Sequence, residues 1–133
     1  MMISRRQFVL MTAGVVTGCQ AVNRVGTSPA SAPRIINAGP ASSYAAEGVY
    51  SGFRALGFFV IRRNNQLFAM SAICTHRKCK LKAQQDHSFL CPCHGSTFDA
   101  NGHVTNGPAK RDLPMLPTHT TEQGQLIVSI PAA

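Results

Sequence analysis

Two short blocks rich in cysteine and histidine constrain this chain more than any other feature. The first reads Cys74-Thr75-His76-Arg77-Lys78-Cys79 and the second, eleven residues later, Cys91-Pro92-Cys93-His94-Gly95-Ser96. Each is a compact loop that offers thiolate and imidazole within two or three residues. Zinc, copper and iron–sulfur clusters all accept such a mixed set. A tetrahedral structural zinc site would take two cysteines and two histidines, and it would leave Cys79 and Cys93 unexplained. A four-cysteine zinc site from Cys74, Cys79, Cys91 and Cys93 has only one residue between its last two ligands, below the usual two to four. It would also leave His76 and His94 without a role.

The surrounding chain reads as strands and turns. From about Ile35 onward no stretch sustains an apolar period of about 3.6 residues with a cap and a stop, so an all-β domain is expected. Gly57 to Arg62 and Leu67 to Ala72 are apolar runs separated by Arg63-Asn64-Asn65-Gln66, a hairpin with a polar turn that delivers the chain to Cys74. Thr97 to Ala100 and His103 to Thr105 flank Asn101-Gly102, a dipeptide suited to a two-residue hairpin turn, and lead away from His94. Met115 to Thr121 and Gln125 to Ile130 meet at Glu122-Gln123-Gly124 and are expected to close the sheet. Both Cys/His blocks therefore fall on loops between hairpins.

The pattern C-T-H-x-x-C followed by C-P-C-H-G-S resembles the Rieske iron–sulfur proteins of quinol-oxidising cytochrome bc complexes. The resemblance runs from Cys74 to Pro108, with Gly107-Pro108 at the place of the family's loop that covers the cluster. It implies antiparallel sheets with a 2Fe-2S cluster held by two loops at the tip. Cys74 and Cys91 would hold one iron, His76 and His94 the other, and Cys79 and Cys93 would form a disulfide clamping the loops. Two neutral imidazoles in place of two thiolates ease electron uptake and raise the potential, into a range of about −150 to +300 mV. The family's exposed ligand histidines become more acidic when the cluster is oxidised, which couples electron to proton transfer. His87, His103 and His119 match no motif position and read as surface or turn residues.

This chain departs from the family pattern at two places. Ser96 is kept and is expected to bond a bridging sulfide, but the position two residues on, where a tyrosine commonly bonds a ligand sulfur, is Phe98. Losing that bond should lower the potential, and the exposed charges of Arg77 and Lys78 are too well screened to offset it. Arg77-Lys78 also stands where the family usually has an apolar residue and a glycine. A basic tip fits an apolar quinone pocket poorly and suits an acidic electron-transfer partner.

The N-terminus reads as an address. Arg5-Arg6 precede an apolar stretch from Phe8 to Val16, too short for the roughly 20-residue helix that spans a bilayer. Ser4 to Val9 resembles the twin-arginine export signal, and Val16 to Cys19 resembles a bacterial lipobox. Residues 1–18 are thus expected to be a lipoprotein-type signal, with Cys19 lipidated. Residues 19–34, rich in Ala, Ser, Thr, Asn and Pro, would form a tether, and 35–133 the 2Fe-2S domain. About 14 such residues reach on the order of 20 Å. Export agrees with a disulfide, which persists in an oxidising compartment.

Composition limits the partners. The formal charge is +8, but apart from Arg77, Lys78, Lys80 and Lys82 the cations are spread thinly and no aromatics interleave with them. A nucleic-acid groove is therefore not expected. The function that follows is an exported, membrane-tethered electron carrier at the periplasmic or outer face of the cytoplasmic membrane. Its partner would be a quinol-oxidising complex or a c-type cytochrome. The competing readings are the small Rieske subunit of a periplasmic molybdenum oxidase such as arsenite oxidase, and a non-redox zinc module.

Overall fold

A computed structural model describes residues 32–132; the expected signal segment, Cys19 and the expected tether up to residue 31 lie outside the described residues. Among the described residues eleven strands form three antiparallel sheets, with two short 3-10 turns at Ala41–Tyr44 and Arg54–Leu56. The all-β expectation holds.

The central sheet contains β2 (Gly48–Tyr50), β3 (Phe58–Arg63), β4 (Gln66–Ser71) and β9 (Met115–Leu116), in that order. Phe58, Phe59, Val60 and Ile61 are all buried, so β3 packs on both faces and reads as a continuous apolar run. One face joins Phe59, Ile61, Met70, Leu81, Phe89 and Phe98 in a core that also encloses Cys74 and Cys91. The other joins Phe58, Val60, Ala69, Leu126 and Val128 beneath a second sheet. Each fully buried side chain of this size contributes about 1.5–3 kcal/mol. The two ligand-bearing loops therefore rest on the core between the central sheet and the strands that carry Phe89 and Phe98.

The second sheet places β11 (Gln125–Ile130) between β1 (Arg34–Pro40) and β10 (Thr118–Thr120). The third is made of β5 (Lys82–Ala83), β6 (Phe89–Leu90), β7 (Thr97–Phe98) and β8 (Val104–Asn106) in chain order. It carries the second Cys/His block between β6 and β7, while the first block leaves β4.

The three expected hairpin regions are present, with altered details. Arg63 pairs with Gln66, so the first turn is only Asn64-Asn65, both at positive φ. That is the geometry a two-residue hairpin needs. The Glu47 carboxylate holds it by accepting from both asparagine N–H groups, at 2.9 and 3.0 Å.

Asn101-Gly102 is not a two-residue turn. The Asp99 carboxylate accepts from the N–H groups of Asn101 and His103, and this makes a wider loop in which only Gly102 takes positive φ. A local side-chain bond here wins over the dipeptide's hairpin preference. Gly102 is also needed for space, since a Cβ there would stand 2.9 Å from Met70 Sδ.

The run from Met115 to Thr121 does not form one strand. It is split at Pro117, whose missing N–H ends β9 in the central sheet and releases β10 to the second.

Candidate metal centre

The two Cys/His loops are built alike. In the first, the Cys74 N–H donates to Cys79 O at 2.7 Å and the Lys78 N–H to Cys74 O at 2.9 Å. In the second, the Cys91 N–H donates to Ser96 O at 2.8 Å and the Gly95 N–H to Cys91 O at 3.0 Å. The fifth residue of each loop takes the left-handed conformation, Lys78 at φ 58° and Gly95 at φ 78°. Two six-residue loops of one geometry thus face each other at one end of the core.

A disulfide joins Cys79 to Cys93, with a Cα–Cα distance of 6.5 Å. It stitches the far end of the first loop to the middle of the second. The sulfurs of Cys79, Cys91 and Cys93 lie within 4.8 Å of one another, but the bonded pair has no thiolate to give a metal. The same bond rules out the four-cysteine zinc arrangement, which needs both cysteines reduced.

Cys74 and Cys91 remain as free thiols, each about 1% exposed. Burial pushes the Cys74 thiol up; the His76 and Arg77 N–H groups pull against this, and neighbouring Cys91 reinforces it. Coordination by a metal ion removes a thiol proton outright. The rings of His76 and His94 are 4.9 Å apart and nearly perpendicular. His76 Nδ1 is buried and, among the described residues, has no hydrogen-bond partner. Desolvation holds this imidazole below its ordinary value, with His94 and Arg77 adding to the effect, which favours the neutral ring that ligates metal. Two buried thiols, one orphaned imidazole nitrogen and an exposed second histidine form a donor set that fits a cluster needing two sulfur and two nitrogen ligands.

The chain matches the Rieske [2Fe-2S] domain over residues 36–117, more than half its length. It belongs to the Rieske family. The cofactor of this Rieske chain is accordingly a 2Fe-2S cluster. Its relatives include the cytochrome b6-f complex iron-sulfur subunit of Synechococcus elongatus, 32% identical over 53% of this chain and 41% of that protein. The cytochrome bc1 complex Rieske iron-sulfur subunit of Corynebacterium glutamicum is 47% identical over 47% of this chain and 16% of its own. This chain therefore spans less than half the length of these relatives. Among solved structures, the plasma membrane Rieske protein of Synechocystis PCC 6803 superposes with a TM-score of 0.54 and 31% identity, covering 70% of this chain and 97% of that one.

A third loop locks the Rieske loops together. Thr75 Oγ1 donates to Arg111 O at 2.7 Å, and Ala109 N–H donates to Ser96 Oγ at 3.0 Å. Ser96 is fully buried and uses its oxygen as an acceptor here, which leaves its hydroxyl proton for a second partner. Gly107-Pro108 opens this segment with a cis peptide bond. Phe98 lies fully buried in the core that also contains Cys74 and Cys91.

The base of the first loop is pinned by Arg54, which donates to Leu81 O and to Lys80 O, and by Lys80 Nζ, which donates to Ala55 O. Thr75 is a letter of the first motif, whereas Arg54 and the segment Ala109–Arg111 carry no motif letter. His87 and His119 are exposed, as expected, whereas His103, also exposed, is tied to Asp112.

Proposed function

We propose that this Rieske protein is an exported, membrane-tethered electron carrier serving a quinol-oxidising complex of the cytochrome bc type or a c-type cytochrome. Cys74 and Cys91 hold one iron of its cluster, and His76 and His94 the other. The observation that carries this reading is the buried, unpartnered Nδ1 of His76, next to two buried thiols within the matched family segment. A buried polar atom without a partner costs about 1–3 kcal/mol, which a metal bond removes. When bound, the cluster accepts and gives up one electron.

The chain's own residues set the conditions for that transfer. The disulfide and the Thr75 and Ser96 contacts fix the spacing of the two loops, so the ligands need little rearrangement between oxidation states. His94 is exposed and opens the ligand set to solvent. Ser96 would have its hydroxyl proton free to donate to the cluster, and Phe98 would have none to offer. Export through the signal in residues 1–18, with lipid on Cys19, keeps the domain at the outer face of the cytoplasmic membrane, where the disulfide survives.

The test is spectroscopic and biochemical. The reduced full chain should give the rhombic EPR signal of a Rieske centre, and His94→Ala and Cys91→Ser should each abolish it. A colourless, zinc-loaded protein would overturn the reading. Fractionation and mass analysis should find the mature chain on membranes with Cys19 lipidated, and Cys19→Ala should release or retain it unprocessed. Oxidation by a ferric c-type cytochrome, together with copurification of a cytochrome b, supports the quinol-oxidising assignment; copurification with a molybdenum subunit transfers the protein to the competing class.

A further inference from the structure

Beside the cluster loops runs a surface that holding a cluster does not use. An apolar cleft of about 470 Å³ is lined by Gly57, Ile73, Met115, Leu116, Ile130 and Pro131, with Lys78 at its edge. A second cleft of about 260 Å³ is lined by Cys74, Thr75, His76 and Arg111. The two share Ser71, Ile73, Lys78 and Pro114, so they are continuous. Apolar surface therefore begins at His76 and extends down one flank, where Met115 is 51% exposed.

The rim of this surface is cationic and uncompensated. Arg54, Arg62, Arg63 and Lys80 are engaged in hydrogen bonds within the fold. Lys78 and Arg111 line the clefts, Arg77 and Lys110 are their neighbours in sequence, and all four are exposed; among the described residues their side chains make no hydrogen bond or salt bridge. Of the five acidic residues, four are bound elsewhere, Glu47 at the Asn64-Asn65 turn, Asp86 to Ser88, Asp99 in its own loop and Asp112 to His103, and the fifth, Glu122, sits in the turn between β10 and β11. Lys78 adds a second argument. It holds a left-handed position that the matching loop gives to Gly95, so its side chain is kept in spite of backbone strain.

We propose that the cleft and its cationic rim form one docking face for an acidic electron-transfer protein. The partner's carboxylates meet Arg77, Lys78, Lys110 and Arg111, and an apolar side chain enters the cleft beside Met115. An apolar centre inside a charged rim is the usual anatomy of a protein interface, and it places the partner against His76. A second copy of this chain would set the same cations against each other. An anionic bilayer would attract the rim, but it presents no side chain to fill the cleft. One electron passes to a ferric haem of the partner, which becomes ferrous, and no bond forms or breaks. This proposal rests on the electron-carrier reading above.

Stopped-flow oxidation of the reduced full chain by an acidic ferric c-type cytochrome tests it, with a basic one for comparison. The acidic oxidant should react faster, and its rate should fall steeply with added salt. Lys110→Glu/Arg111→Glu should slow it about tenfold or more at low salt, Met115→Ser should slow it without changing the salt slope, and Lys82→Glu should do neither. Titration of the oxidised chain with the ferric acidic cytochrome, in which no electron moves, should show the same ranking in Kd. A salt-independent rate, or a double variant that reacts at the original rate, would overturn the docking face while an intact EPR signal preserves the electron-carrier reading. Loss of the EPR signal in the unmodified chain overturns both. Charge reversal that abolishes binding to phosphatidylglycerol vesicles and leaves the cytochrome reaction untouched would assign the rim to the membrane and reject the proposal.

Discussion

Lys78 occupies in the first cluster loop the place that Gly95 occupies in the second, each the fifth residue of its loop and each left-handed. A residue with a Cβ is disfavoured in that conformation by about 1–2 kcal/mol, and the greater chain entropy of unfolded glycine offsets about 0.5–1 kcal/mol of this. Lys78→Gly is therefore expected to stabilise the domain by about 0.5–1 kcal/mol. Gly95→Ala, where a Cβ meets nothing within 4 Å, should destabilise it by a similar amount through strain alone. Thermal unfolding should move a few degrees, about 4–8 °C per kcal/mol for a domain of this size, in opposite directions for the two variants. Equal or like-signed shifts would contradict the equivalence of the two positions.

Phe98 sets the second prediction. Its ring is fully buried in the core shared with Cys74 and Cys91. A hydroxyl added there is expected to bond a ligand sulfur, as in the family pattern, and such a bond favours the reduced, more negative state. A differential of about 1 kcal/mol corresponds to roughly 45 mV for a one-electron couple. Phe98→Tyr should raise the midpoint by about that amount in a redox titration followed by EPR, and Ser96→Ala should lower it. An unchanged or lower midpoint in the tyrosine variant would show that its hydroxyl does not reach the sulfur.

The legibility of the sequence follows the same physical line. The two cluster loops are readable because ligand chemistry demands particular residue types at particular spacings. β3 and β4 are readable because their burial writes an apolar run on either side of a polar turn. β1 is not, since Arg34, Ile35, Asn37 and Pro40 are exposed and its pairing with β11 is made through the backbone. The pins from Thr75 to Arg111 and from Ala109 to Ser96 are equally silent, because each uses a main-chain group that any residue could supply. Pro117 lies inside the run expected from Met115 to Thr121, and that its neighbours join different sheets depends on tertiary packing.

The Cys79–Cys93 disulfide spans a sequence separation of 14. In the chain-entropy model, closing a loop of about 15 residues contributes about 3 kcal/mol. The Cys79→Ser/Cys93→Ser variant should lose about that much stability and bleach at a lower temperature, read as loss of visible absorbance on heating. If the double variant keeps its colour to the same temperature as the parent, the hydrogen bonds of Thr75 and Ser96 suffice to hold the two loops.

His103 and Asp112 give the domain a pH-dependent increment. His103 Nδ1 lies 2.8 Å from Asp112 Oδ2, and Asp112 Oδ1 accepts from the Val104 N–H at 2.9 Å. The hydrogen bond from His103 holds the Asp112 carboxyl below its ordinary value of about 3.8, helped by the Val104 N–H. Its contribution is present above that ordinary value and is lost as pH falls through the lowered one. The hydrogen bond to Asp112 raises His103 above its ordinary value of about 6.5, with Asp112 and Asp99 charges adding to the effect. That contribution is present below 6.5 and is lost as pH rises through the raised value. Both act together between about pH 4 and 6.5. The thermal midpoint of the parent should exceed that of His103→Gln in this window, and the gap should narrow on either side. The side chains are 63% and 57% exposed, so 0.5 M salt should shrink the gap throughout. A gap that persists unchanged at pH 9 would mean that His103 acts there as a neutral hydrogen-bonding spacer and not as a charge.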